Sequence, residues 1–427
     1  MVSVSTDGSR GSLQILDANR DLRGNIENTI PAFSISGYSA GFPNLILNFP
    51  EQIRGYVYAS SDGSLTKIDY GKETAGGSAG SFPARSTGIA MAQDDSRIFS
   101  AEESAGQLVV IDNTAGKGYA LNLPNVYQVA VNQGGTVALA MVRNSNTLYR
   151  VVYLNANQPN PPGAVDCQPY NLPVYCVVPV PGTYDRPIGA YFSLDGTTAF
   201  VLNCGQECGG TTASVAMLQQ GALTINVIPA ALPYPSAQSG NVLVPGGATV
   251  AVSDGSTLYI AGQQLQPDGL FAGNLSTMDL ASKTITGTYS ISDGNHSKIL
   301  LADDNTLWIG SQFCATGEKA KLGQNYNCLT RYDIGAKTTA IIPAVTPGSS
   351  DPTKQLPYPN NNNNVYYYGD LTGLCWVQNL HKVYTAYGGQ VHAFHTADGS
   401  EINNFFLTVQ GTALDVAYMD ALTNAAN

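Results

Sequence analysis

The sequence predicts an all-β fold, a β-propeller of eight four-stranded blades closed by N-terminal strands B, C and D together with a C-terminal strand A. Three observations carry this. The composition suits strands and tight turns, a hairpin recurs along the whole chain, and each end leaves one blade incomplete in a complementary way.

Of 427 residues, 43% are hydrophobic and only 12% charged, with 45 Gly and 24 Tyr. Amphipathic helices need more Lys, Glu and Arg than this, whereas strands joined by turns need Gly and aromatic residues. The formal net charge is -11. No Lys/Arg cluster exists to neutralise a run of phosphates, so nucleic acid and anionic membrane surfaces are excluded as expected partners. No uninterrupted apolar stretch is long enough for a transmembrane helix, and the start of the chain lacks the basic and apolar parts of a signal peptide. Export with prior removal of a signal is the expectation, because the cysteines argue for it.

The recurring unit is a strand, a turn or loop, and a second strand that ends on an apolar residue followed by Asp or a substitute. It runs from Val2 to Asp17, Tyr56 to Asp69, Ile98 to Asp112, and Val137 to Leu154. Later copies run from Ala199 to Leu218, Leu258 to Asp279, Leu307 to Asp333, and Val383 to His395. A short apolar strand precedes most copies, as at Gly88 to Met91, and a weaker one follows, as at Gly118 to Leu123, Leu223 to Ile228 and Thr339 to Ile342. Each unit is therefore a meander of strands A to D. Such a sheet cannot bury both faces alone, and radial stacking satisfies every copy.

The blades are placed at 1–32 plus 411–421, 38–83, 86–124, 127–182, 186–231, 237–291, 295–346 and 363–409, in a single domain over 1–427. The first lacks a strand A, and Thr412 to Met419 at the far end supplies one beside Val2 to Ser5. Leu154 and Leu218 stand where the repeat has Asp, so a count of seven stays open.

Segments such as Gly106 to Lys117 and Gly389 to Ser400 resemble the YVTN or lactonase-like bacterial β-propellers and their quinoprotein-like relatives. The resemblance covers the whole chain and implies the fold. It implies no single activity, since such repeats serve lactonases, dehydrogenases, adhesins and passive binding modules.

Six of seven cysteines form close pairs, Cys167 with Cys176, Cys204 with Cys208 and Cys314 with Cys328. These intervals suit disulfides rather than zinc, and hence an oxidising compartment: periplasm, cell surface or medium. Cys375 reads as a buried free thiol.

Propeller topology puts the BC and DA loops on one rim. On it the BC loops of blades 5 to 7 are long, at 203–212, 263–274 and 311–327, and the connection 343–365 joins them. Tyr326, Asn327, Tyr366, Tyr367 and Tyr368 are the candidate binding residues there, offering stacking surface and amide hydrogen bonds to a glycan or peptide. The Pro-rich insertion 157–181 between strands C and D of blade 4 belongs on the opposite rim.

Catalytic signatures are absent. There is no Gly-x-Ser-x-Gly elbow, His-Glu-x-x-His pair or phosphate loop. His392 and His395, three apart on a strand, point to opposite faces and cannot share a metal. Asp94-Asp95 and Asp303-Asp304-Asn305 read as hairpin turns rather than calcium sites. The resemblance to gluconolactonase-like propellers implies a divalent cation held by Glu, Asn and Asp at the channel mouth, yet Glu is scarce here. The docking motif of eight-bladed quinoprotein dehydrogenases finds its nearest counterpart at Ala393 to Asn403, which lacks the motif's Asp, Thr and Trp. The expectation is a monomeric, non-enzymatic binding propeller with no catalytic residue to name, no metal site and no cofactor. Its partner would be a small molecule, glycan or protein. The alternative is a lactonase-like hydrolase with calcium or another divalent cation in its channel.

Overall fold

A computed structural model describes residues 1–4, 10–21, 33, 34, 38, 41–49, 52–155, 159–169, 173–226, 236–314, 326–343, 370–402, 407, 409 and 411–419. Within them the chain is all-β, with only short 3-10 turns between strands, and its strands form eight separate sheets. It divides into two compact units, Met1–Ser81 with Phe271–Asn274 and Tyr289–Asn427, and Phe82–Leu270 with Leu275–Thr288.

In the first unit, Val2–Val4 pairs on one side with Gly11–Ile15 and on the other with Thr412–Asp415. The two ends of the chain thus share one blade, as the unmatched strands predict. Thr412–Asp415 lies between the A strands of blades 8 and 2, Leu371–Val377 and Pro43–Phe49. Asp415 fixes this seam by accepting the backbone N–H of Ile46 at 2.8 Å and of Val416 at 2.9 Å. Gly373 is required opposite it, because a Cβ there would stand 2.7 Å from Asp415 Oδ1. Between blades 7 and 8 the core is Trp308, Leu329, Val383 and Phe394, and between 1 and 2 it is Leu13, Val57 and Ile68.

In the second unit the A strands of blades 3 to 6, Gly88–Met91, Val126–Val131, Pro187–Phe192 and Val250–Ser253, again lie side by side. Phe99, Leu108, Val126 and Tyr175 fill the space between blades 3 and 4. Leu139, Met141, Val201 and Leu218 do so between 4 and 5. Each apolar face removed from water contributes about 25 cal/mol per Å², which is why sheets stack rather than stand alone.

The Asp that ends strand C has a definite task. Asp69, Asp112, Asp279 and Asp333 each accept, through Oδ1, the backbone N–H three residues on, at 3.0, 2.9, 2.6 and 2.8 Å. The next residue in each turn, Glu73, Gly116, Lys283 or Lys337, is left-handed with φ of 53°, 62°, 58° and 56°. This is a side-chain-capped tight turn into strand D. After Leu218, which replaces the Asp in blade 5, the chain instead enters the 3-10 turn Gln220–Ala222.

Two expectations are corrected on this ground. The insertion in blade 4 is not rim decoration: Val174–Pro179 is its fourth strand, and Asp166–Gln168 adds a fifth, with Cys167 directly opposite Cys176. In blade 5 the fourth strand is Gln238–Leu243, which the repeat assigns to blade 6. The segment read as that strand instead runs beside blade 4, where Ile225 hydrogen-bonds Tyr153 and Thr136 through the backbone. Burial of Leu223 and Ile225 draws it there.

All three cysteine pairs are disulfides, and Cys375 is the buried free thiol. The disulfides fit an oxidising environment. Among the described residues no helix is long and apolar enough to cross a membrane.

Candidate ligand-binding rim

Long BC loops give rise to built structures in both compact units. In blade 5 the loop after Thr198–Asn203 folds into the 3-10 turn Gly205–Cys208, stapled by Cys204–Cys208. Asp185 holds its far end, with Oδ2 accepting N–H groups of Thr211 and Thr212 at 2.7 Å each. The long BC segment of blade 6 proves to be an extended hairpin. Strands Thr257–Leu265 and Phe271–Asp279 meet at a tip closed by Gln266 N–H to Leu270 O at 2.8 Å. A cavity of about 130 Å³ lies between these two elements, beside Glu207 and Gln263.

The larger site is in the first unit. A cleft of about 250 Å³ opens between residues 290–293, Phe313, Cys314 and Thr330, and the exposed edge 339–341 of blade 7. Its floor is a hydrogen-bonded knot. Ser292 O accepts from His296 Nε2 at 2.9 Å and from Ser311 Oγ at 3.1 Å, and its N–H donates to Thr330 Oγ1 at 3.2 Å. Burial pushes the His296 imidazole down to about 4, so it is neutral at physiological pH with its Nε2 proton committed to Ser292 O.

The wall is Phe313, whose N–H donates to Asp293 O at 2.9 Å and whose ring is 50% exposed. Cys314–Cys328 ties this ledge to strand C of blade 7. Gly294, with φ of 95°, is needed beneath it, since a Cβ would lie 2.7 Å from Phe313 N. Asp293, itself exposed, is aimed by Gly273 N–H to its Oδ1 at 2.7 Å.

Tyr326 does not line this surface. It is 6% exposed and packs with Cys314, Cys328 and Tyr387 under the rim, where burial raises its phenol. Asn327 sits half-buried beside it. Tyr366, Tyr367 and Tyr368 lie outside the described residues. Phe313 and Asp293 escaped the sequence reading, which favoured Tyr and Asn. The visible signal was an aromatic residue next to a paired cysteine, Phe313-Cys314.

The histidines behave as their spacing predicts. His392, 1% exposed, donates from Nδ1 to Glu401 Oε1 at 2.6 Å and packs edge-on to Tyr387, while His395 is exposed in its turn. Among the described residues no group of three or more His, Cys, Asp or Glu is placed to hold a metal ion. In the cleft His296 meets the backbone of Ser292, not its hydroxyl, so no base–nucleophile pair is formed there. What the arrangement offers is an apolar ring face beside a carboxylate and hydroxyls on a fixed ledge.

No protein-family profile and no curated protein matches the sequence. Solved structures do match the coordinates. The dihydro-heme d1 dehydrogenase NirN in complex with DHE aligns over 95% of this chain and 73% of its own, at 13% identity and a TM-score of 0.51. The fold is a β-propeller. Kuenenia stuttgartiensis hydrazine synthase aligns over 92% of this chain and 93% of its own, at 13% identity and a TM-score of 0.49. The β-propeller domain of Myceliophteria thermophila Cps50 (Swd1) follows, with 89% and 91% covered, 8% identity and a TM-score of 0.43. At 13% identity the NirN match speaks to the fold alone.

Proposed function

We propose that this propeller is an exported, non-enzymatic recognition module of the YVTN-like type that binds a glycan in the blade 7 cleft. The observation that carries the reading is the half-exposed Phe313 ring, held beside Asp293 and backed by the Cys314–Cys328 disulfide. A pyranose presents an apolar C–H face and a rim of hydroxyls, which matches a ring face flanked by an acceptor carboxylate. A pre-tied ledge loses little entropy on binding. Export is supported by the three disulfides.

A glycan array on the purified protein, followed by calorimetry on the best hit, is the test. Phe313→Ala should weaken binding by at least about tenfold, the loss of one stacked ring, while leaving the melting temperature nearly unchanged because the ring is exposed. An array without hits, or affinity indifferent to Phe313→Ala, would sink the reading. Elemental analysis of the same sample addresses the hydrolase alternative, which requires one tightly held divalent cation per chain.

A further inference from the structure

The sequence holds two Asn-x-Ser triplets of the kind that accept N-linked glycans, Asn274-Leu275-Ser276 and Asn295-His296-Ser297. The fold treats them differently. Asn274 is 8% exposed and Ser276 0%, both within strand Phe271–Asp279 of blade 6. A transferase has to grip the asparagine amide and the serine hydroxyl together, and here it reaches neither without pulling the strand from its sheet.

The second triplet lies in the connection that enters strand Ile299–Ala302 of blade 7. Exposure alternates along it: Asp293, Asn295 and Ser297 are exposed, whereas Gly294 and His296 are buried. Both buried positions have a visible cause. Gly294 lies against the backbone of Phe313, where a Cβ would stand 2.7 Å from the nitrogen. His296 turns inward and donates from Nε2 to Ser292 O at 2.9 Å. The segment is also held at each end, by Phe313 N–H on Asp293 O and by Gly310 N–H on Lys298 O, both at 2.9 Å. An acid, an amide and a hydroxyl are thus presented to solvent together from an anchored loop, as glycan acceptors require.

We propose that Asn295 is an N-glycosylation site, with Ser297 and Asp293 as the flanking side chains that the transferase reads. The donor is an oligosaccharide carried on a polyprenyl diphosphate. The Asn295 side-chain nitrogen bonds to the anomeric carbon of the first sugar as the bond from that carbon to the diphosphate oxygen breaks. The diphosphate leaves with the electron pair, and the amide proton passes to a base of the transferase. Asp293 meets the added demand of those transferases that select an acid two places before the asparagine, where the buried triplet has Ala272. This inference rests on the export proposed above and not on ligand binding in the cleft, which Phe313→Ala tests separately.

The experiment exports the full chain to a bacterial periplasm supplied with a lipid-linked oligosaccharide and one of two transferases, the first demanding the upstream acid and the second not. Trypsin cuts after Lys283 and Lys298, so mass spectrometry of peptide 284–298 reads the site. Both transferases should add the oligosaccharide at Asn295 and leave Asn274 unmodified. Asn295→Gln and Ser297→Ala should abolish the addition with both, and Asp293→Asn only with the first. All three variants should melt close to the parent, since the side chains are exposed. The non-reduced mass of the same sample shows whether the three disulfides formed and hence whether export succeeded. A disulfide-bonded chain left unmodified at Asn295 by both transferases, or modified at Asn274 instead, would overturn this inference and leave export standing. Undiminished transfer to Asp293→Asn by the acid-demanding enzyme would overturn the part given to Asp293.

Discussion

The Glu207 carboxylate of blade 5 receives both donors of Gln263 in blade 6, the backbone N–H at 2.7 Å and the side-chain amide at 2.9 Å. Gly247 makes room, since a Cβ there would lie 2.2 Å from Glu207 Oε2. Two neighbouring blades are therefore clasped at the rim by a residue that the Cys204–Cys208 disulfide holds in place. Glu207→Ala leaves both donors of Gln263 without their acceptor and should cost about 1–3 kcal/mol in urea unfolding. Burial raises the Glu207 carboxyl, so its contribution is fullest below the ordinary glutamate range and falls as pH climbs through the raised value. Glu207→Gln should keep most of the stability and flatten that dependence.

Tyr175 marks a second junction, where the inserted fourth strand of blade 4 meets the turn of blade 3. Its hydroxyl donates to Asp112 Oδ2 at 2.5 Å and accepts from Arg97 Nε at 2.9 Å. Tyr175→Phe removes a bond to a charged acceptor and should lower stability by about 1.5–3 kcal/mol. A double cycle with Asp112→Asn should show strong coupling between the two positions. Additive losses would mean that the tyrosine acts only through packing.

The same Asp112 shows what was legible in the sequence. Capping needs an Asp at one point in each turn, so the repeat is visible wherever the turn is tight, at Asp69, Asp112, Asp279 and Asp333. Closure was legible too, because Thr412 to Met419 had no blade of its own. The fourth strands of blades 4 and 5 were not, since their places are set by long-range burial of residues such as Ile225 rather than by local turn chemistry. The exposure of the rim aromatics was not legible for a related reason. Tyr326 and Phe313 flank the same disulfide, and only tertiary packing decides which aromatic goes under and which stays out.

His381 joins the AB turns of blades 8 and 7, with Nδ1 at 3.0 Å from Asp304 and its N–H donating to Asp303 Oδ2 at 2.9 Å. The Asp304 hydrogen bond and charge raise the His381 pKa above its ordinary 6.5. Protonation is thus favoured in the folded state. The stabilisation is complete below the unfolded value and disappears as pH rises through the raised one. Melting temperature should fall between pH 6 and 8 in the parent and less so in His381→Gln. Added salt should shrink the difference, since the pair is exposed.

Glu102 loads the same pH range from the opposite chemistry, and the two can be separated. It is fully buried at the end of strand B in blade 3, and neither carboxylate oxygen has a hydrogen-bond partner at normal distance among the described residues. Desolvation raises it to about 7, with the Ala84 backbone as the one opposing influence. An acid raised in the folded state favours folding while protonated, so stability holds below the unfolded value near 4.5 and declines as pH approaches and passes 7. Glu102→Gln keeps the shape, removes the buried charge, and should stabilise the protein at pH 8 by on the order of 1–3 kcal/mol. At pH 5 the variant and parent should unfold alike. In the double variant with His381→Gln the two slopes should subtract independently, because the influences on the two groups, Asp303 and Asp304 on one and Ala84 on the other, are different. A Glu102→Gln protein that is no more stable at pH 8 than the parent would mean that water reaches this carboxylate in solution.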